Sequence, residues 1–132
     1  MRDVHNYPAP MAPDPEKARA SVLGEFGGLG LGVEGHIWRK SKSEEHTQKE
    51  SSWSYDSSHN YQQLTKSYLK LLKQLHPLIA TRGLSAAIYT QTTDVEIEIN
   101  GFMTYDRDIV KFNTSLVAAA HKELYAVSPG VG

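Results

Sequence analysis

The pattern of apolar and polar positions predicts three short β-strands, the first of them only the end of a strand that the following prolines stop. They lie at residues 1–5, 21–26 and 84–90, and the last is apolar enough to be buried on both faces of a sheet. Helical patterns separate them, which gives the order strand, short helix, strand, helix, strand, helix. Such alternation predicts parallel strands joined by crossover helices, an α/β fold. Because three parallel strands cannot cover their own faces, we expect the chain to be a slice of a larger sheet.

Three helices are predicted between and after these strands. An Asp-Pro pair is a typical N-terminus for the short helix over residues 16–20. Pro77 and Gly83 mark the end of the helix predicted over residues 59–78. The last helix, over residues 105–125, takes Thr104 as its N-cap. The middle helix has the clearest pattern, since its apolar side chains recur at steps of three and four: Tyr61, Leu64, Tyr68, Leu71, Leu72 and Leu75.

Composition narrows the classes of protein and partner. The chain has 132 residues, 39% of them hydrophobic, and a net charge of −1, which favours one globular domain and gives no reason to expect a nucleic acid as partner. No apolar run approaches the roughly 20 residues of a membrane span, and no apolar stretch of a signal peptide follows the first residues. With no cysteine, disulfides and thiolate metal sites are excluded. Localisation stays open.

A carboxylate followed by glycines is the strongest chemical signal. Residues 22–31 run Val-Leu-Gly-Glu-Phe-Gly-Gly-Leu-Gly-Leu, so that a short apolar run delivers Glu25 to a glycine-rich loop. In parallel α/β proteins, ligands bind at the carboxyl ends of the strands. His5 and His36 lie at or after such ends. Three further polar residues follow the third strand and could reach the same edge: Gln91, Asp94 and Glu96.

Aromatic residues in the long connection after Glu25 suit a sugar ligand. Trp38, Trp53 and Tyr55 all lie between residues 27 and 57. Sugars present apolar C–H faces that pack on aromatic rings, while their hydroxyls bind carboxylates and amides. The same aromatic residues could equally anchor the loop itself.

Other motifs have plainer interpretations. Residues 30–35 match G-x-G-x-x-G, but the dinucleotide site needs a strand directly before this motif and a helix opening on its third glycine. Six histidines show no i, i+4 pair on a helix and no H-E-x-x-H, so no metal site is predicted. The alternation of acidic and β-branched residues over 94–100 is typical of a half-exposed strand leading into a turn.

Several segments resemble the C-terminal third of the catalytic domain of glycoside hydrolase family 2, the β-galactosidase and β-glucuronidase group. They are DVHNYP at residues 3–8, GEFGG at 24–28, YTQTTDVE at 89–96, NGF at 100–102 and TYDR at 104–107. The resemblance implies a partial (β/α)8 TIM barrel, approximately strands 6 to 8 with their helices. Residues 1–132 would then be an incomplete, C-terminal part of that catalytic domain.

The same resemblance implies retaining hydrolysis of a β-linked carbohydrate. Glu25 corresponds to the nucleophile, and it would work with an acid/base glutamate about 5–5.5 Å away. That glutamate follows an asparagine on strand four in the family, and no residue of this chain corresponds to it. The isolated chain is therefore expected to be inactive.

The implied partners are a carbohydrate substrate and the missing N-terminal barrel and β-sandwich domains of a parent protein. Neither a membrane nor a cofactor is implied. The candidate substrate-binding residues are His5, Tyr7, His36, Trp38, Gln91, Asp94 and Glu96. Two alternatives remain open, namely a carbohydrate-binding α/β module without catalysis and a nucleotide-binding half-domain.

Overall fold

A small parallel sheet and two helices make up the described fold. The computed structural model describes residues 1–38 and 56–128, and every statement about structure refers to these. In chain order, the elements are β1 (Arg2–Asn6), β2 (Ser21–Gly27), β3 (Leu29–Gly30), β4 (Asp56–Ser57), α1 (Tyr61–Arg82), β5 (Leu84–Thr90) and α2 (Thr114–Tyr125). None of the helices described combines the length and the apolar character needed to cross a membrane.

Strand β2 lies in the middle of the main sheet, which has the order β1-β2-β5 with both pairings parallel. The register places His5 opposite Glu25, and Gly27 opposite Thr90. The carboxyl ends of all three strands therefore meet at one edge, as the sequence predicts. Strands β3 and β4 form a separate two-stranded parallel pair.

The core lies between the sheet and α1. Leu23 and Leu64 are fully buried, and five of the six apolar positions predicted on α1 point inward, whereas the sixth, Tyr61, is 45% exposed. Tyr68 of α1 packs edge-on against Tyr89 of β5, with ring centroids 4.8 Å apart, and against Phe102 at 5.0 Å. Aromatic pairs in this geometry add stabilisation beyond the area they bury. This cluster attaches the loop after β5 to the body of the domain.

The helix α1 is longer than predicted because Pro77 does not end it. Asn60 caps its N-terminus, accepting a hydrogen bond from the Gln63 N–H at 2.8 Å. Its C-terminus comes at Gly83, whose φ of 61° is the left-handed conformation that glycine adopts without strain. The cap N–H of Gly83 donates to the carbonyl of Leu78.

The expected partial (β/α)8 barrel is wrong. A slice of strands 6 to 8 with their helices needs a helix after each strand, and the described residues contain two helices beside a three-stranded parallel sheet, which is α/β only in part. No helix forms over residues 16–20, between β1 and β2. This connection carries four prolines, which favour extended and turn backbone: Pro8, Pro10, Pro13 and Pro15.

Two further predictions about the elements are wrong. The last helix begins at Thr114 with Asn113 as its N-cap, rather than near residue 105, because Thr104–Lys111 forms hydrogen-bonded turns in which Arg107 has a φ of 65°. Strand β5 is not buried on both faces, since Ser85, Ala86 and Ala87 are exposed and Ile88 is 49% exposed.

Candidate functional site

Glu25 lies one residue before the end of the apolar part of β2. Two glycines let its neighbours approach closely. A Cβ at Gly24 would collide with the Asp3 carboxylate, and one at Gly27 would collide with the Tyr89 ring. Gly27 also has a φ of 89°, which side chains other than glycine rarely adopt. The glycines that flank Glu25 therefore serve close packing of β1 and β5 against β2.

Two hydroxyl groups hold one oxygen of the Glu25 carboxylate. The Tyr7 hydroxyl donates to Glu25 Oε2, and Thr90 Oγ1 donates to the same oxygen at 3.3 Å. Glu25 Oε1 faces the His5 ring, with Nδ1 at 3.8 Å. The Glu25 side chain is 42% exposed. One oxygen is thus fixed by protein hydroxyls, while the other lies where a ligand could meet it.

His5 lies between two carboxylates. Its Nε2 is 3.2 Å from Asp3 Oδ2, and its Nδ1 faces Glu25. When its ring is protonated, His5 carries a positive charge that attracts both groups. Three of the predicted residues, His5, Tyr7 and Glu25, therefore come together at the carboxyl edge of the sheet.

A second polar group follows Thr90 along the chain. We call Gln91, Glu98 and Asn100 the amide–carboxylate cluster. Gln91 Nε2 donates to Glu98 Oε2 and to Asn100 Oδ1, both at 2.9 Å, and Asn100 Nδ2 donates to Glu98 Oε2 at 3.4 Å. Asn100 is fully buried, whereas Gln91 and Glu98 are half-buried. The cluster joins the two ends of the 91–100 loop.

Asp94 lies in the interior, in an ion pair with Lys111. Lys111 Nζ donates to Asp94 Oδ1 at 2.6 Å, to the Leu31 carbonyl at 2.9 Å and to the Ile99 carbonyl at 3.0 Å. The Gly101 N–H also donates to Asp94 Oδ1, at 2.8 Å. Burial raises the pKa of Asp94 and lowers the pKa of Lys111, and their mutual attraction opposes both effects. The pair thus ties three loop segments together.

His36 and Trp38 contact the loop after β5 rather than Glu25. His36 Nδ1 is 2.8 Å from Asp106 Oδ2, and the Trp38 ring packs edge-on against Tyr105 with centroids 5.3 Å apart. The Thr104 hydroxyl and then His36 bring the pKa of Asp106 down to about 2. The glycine-rich loop is therefore attached to the loop that carries the amide–carboxylate cluster.

The remaining candidates lie apart from these groups. Glu96 is exposed, has a φ of 51°, and makes no hydrogen bond to the described residues. Trp53 and Tyr55 lie outside the described residues. Residues 94–100 form tight turns instead of a strand, with a two-residue bridge between Val95 and Glu98.

Sequence reasoning missed Thr90, Glu98 and Lys111. Thr90 lies in the segment 89–96 that carries part of the resemblance, but only the register of β2 and β5 shows that it reaches Glu25. Glu98 was part of an apparent strand alternation, and Lys111 lay unremarked within the helix predicted over residues 105–125.

Neither a nucleotide site nor a metal cluster is visible in residues 1–38 and 56–128. Gly35 forms a turn with a φ of 83°, and no helix opens on it within the residues described up to 38. Within the same ranges, no group of three or more histidine, aspartate or glutamate side chains is arranged to hold a metal ion. No known family model and no curated protein matches the chain.

Proposed function

We propose that Glu25 is the nucleophile of a retaining β-glycoside hydrolase. The observation that carries this proposal is its carboxylate geometry. Oε2 accepts hydrogen bonds from Tyr7 and Thr90, and the side chain stays 42% exposed at the carboxyl edge of a parallel sheet. A nucleophilic carboxylate needs this combination, because one oxygen must be oriented while the other reaches the anomeric carbon.

In the proposed reaction, Glu25 Oε1 attacks the anomeric carbon as the bond to the leaving oxygen breaks. The leaving oxygen takes a proton from a general acid, and the sugar remains as an ester of Glu25. Water then attacks the anomeric carbon, giving its proton to the same acid/base group. The free sugar leaves and the Glu25 carboxylate is restored.

The second carboxyl is proposed to come from outside this chain, as the resemblance to glycoside hydrolase family 2 implies. Loss of proton transfer to the leaving group typically slows such reactions 10²- to 10⁴-fold. A leaving group that departs without a proton removes this requirement. Glu25 can therefore be tested on its own with an activated substrate.

The test is covalent trapping with 2,4-dinitrophenyl 2-deoxy-2-fluoro-β-glycosides of glucose, galactose, mannose and glucuronic acid. The fluorine slows hydrolysis of the ester, while dinitrophenolate leaves unprotonated. We expect the intact mass of the purified chain to rise by one fluorosugar for at least one glycoside. Peptide mapping should place the sugar on Glu25.

Glu25→Gln is the primary control, because it keeps the shape of the side chain and removes its nucleophilic oxygen. Glu123→Ala removes an exposed carboxylate on α2 and should label like the native chain. Absence of labelling by all four glycosides, or labelling at another residue, would refute the proposal. Sugar binding that persists in Glu25→Gln, without labelling of the native chain, would instead identify a binding module.

A further inference from the structure

We propose that Glu98 is a specificity-determining residue that binds hydroxyl groups of a neutral sugar and disfavours a uronic acid. This inference rests on the proposed function in its choice of a carbohydrate ligand. It goes further by naming the sugar class and the residue that selects it. The amide–carboxylate cluster carries the argument.

The cluster holds Glu98 in one orientation. Both hydrogens of the Gln91 amide are used, one on Glu98 Oε2 and one on Asn100 Oδ1. Asn100 is fully buried and completes the triangle by donating to Glu98 Oε2. Since Glu98 Oε2 receives two N–H donors, the carboxylate has little freedom to rotate. A polar network that is connected in this way is preorganised for a ligand.

Two acceptor oxygens of the cluster remain available. Glu98 Oε1 and the side-chain carbonyl of Gln91 accept no hydrogen bond from the described part of the chain, and both side chains are half-buried. Adjacent acceptors suit the hydroxyl donors of a sugar. The same acceptors disfavour binding of an anionic ligand, because the negative charge of Glu98 repels a second carboxylate in a partly desolvated place. Asp94 adds little to this field, since Lys111 compensates it.

The cluster is linked to the Glu25 carboxylate through Thr90. Gln91 is the residue after Thr90, and the Thr90 hydroxyl donates to Glu25 Oε2. The Asn100 carbonyl accepts from the Gln91 N–H, which fixes the loop beside the end of β5. A sugar bound at Glu25 is thus expected to meet the cluster with its other hydroxyls.

The test is an NMR titration of Glu25→Gln, in which binding is separated from chemistry. Methyl β-glycosides of glucose and galactose are compared with methyl β-glucuronide and methyl β-galacturonide. We expect the side-chain amide signals of Gln91 and Asn100 to move in a saturable way with at least one neutral sugar. Its uronic acid counterpart should bind about ten-fold more weakly.

Two variants isolate Glu98, each made in the Glu25→Gln chain. Glu98→Ala should abolish the amide shifts with the neutral sugar, whereas Glu98→Gln should remove the discrimination against the uronide. Glu123→Ala deletes an equal charge on α2 and should leave both affinities unchanged. Melting temperatures show whether each variant is folded, and Glu98→Gln keeps the test informative if Glu98→Ala is not.

Three results would overturn the inference. The first is that the amide signals do not move with any sugar, and the second is that they move equally with neutral and uronic glycosides. The third is that they respond to Ca²⁺ or ammonium but not to sugars. If Glu25 is covalently labelled but the amide signals do not shift, only the proposed role of Glu98 is refuted. Amide shifts without labelling would refute the nucleophile and leave the sugar site standing.

Discussion

At the scale of single residues, Lys111 has a larger structural role than its surface-type chemistry suggests. Lys111 is 1% exposed, and three oxygens accept the three hydrogens of its ammonium group. Removing one partner of a buried ion pair leaves the other charged in a poorly solvated place. Burial of Asp94 is already unfavourable, because its Oδ2 is buried without a hydrogen bond from the described residues.

We therefore expect Lys111→Met to lower the free energy of unfolding by about 3–5 kcal/mol, because the Asp94 carboxylate loses its compensating charge. The double variant Lys111→Met, Asp94→Asn should recover part of this loss, since the buried charge is then gone. Urea denaturation of the two variants and the native chain measures both effects. A double variant no more stable than Lys111→Met would contradict the argument.

At the scale of elements, α1 continues through an exposed Pro77 and ends at Gly83, the second of the two residues predicted to mark its end. Proline lacks the N–H that a helix interior uses, and its ring crowds the preceding turn. Packing after the proline outweighs this cost, since Leu78 and Ile79 are partly buried against the core. Tertiary packing thus decides the length of this helix, and the local propensity of Pro77 does not.

Because Pro77 opposes the helix that contains it, Pro77→Ala should stabilise the chain. We expect a gain of about 1–3 kcal/mol, the helix propensity of alanine over proline reduced by the greater entropy of the unfolded chain. Thermal melting followed by circular dichroism measures it. Lys73→Ala, at an exposed position of the same helix, should change the stability little. A lower melting temperature for Pro77→Ala would show that the ring makes packing contacts that matter.

Elements with a strong local signal were predictable from the sequence, and those defined by distant contacts were not. Periodic apolar positions marked α1, and an apolar run marked β2. The segment before α2 looked helical because Ile109 and Phe112 fall in step with Leu116, yet the Phe112 ring packs against Phe102 with centroids 4.4 Å apart. Glu25 stood out through its flanking glycines, whereas the contact of Thr90 with it depends on strand register.

At the scale of the whole molecule, the surroundings of Glu25 differ from those of the outer edge of β5. Loops tied by Lys111 and Asp106 surround the carboxyl edge, where Glu25 lies. The face and outer edge of β5 are open instead. The inner edge of β5 pairs with β2, whereas no strand among the described residues pairs with its outer edge. Ile88 of β5 is 49% exposed. Unpaired apolar strand edges promote association between chains.

We expect the purified chain to self-associate through β5. Ile88→Lys places a charge on this strand and should shift the protein toward monomer, because a lysine must be desolvated when another chain pairs there. Light scattering coupled to size exclusion, over a range of protein concentrations, gives the mass of the species present. Ile97→Lys is the matched control, since Ile97 is 39% exposed but lies in the loop after β5. Equal effects of the two substitutions would indicate that general surface charge controls association. A native chain that is monomeric at every concentration would show that the open edge of β5 is tolerated in solution.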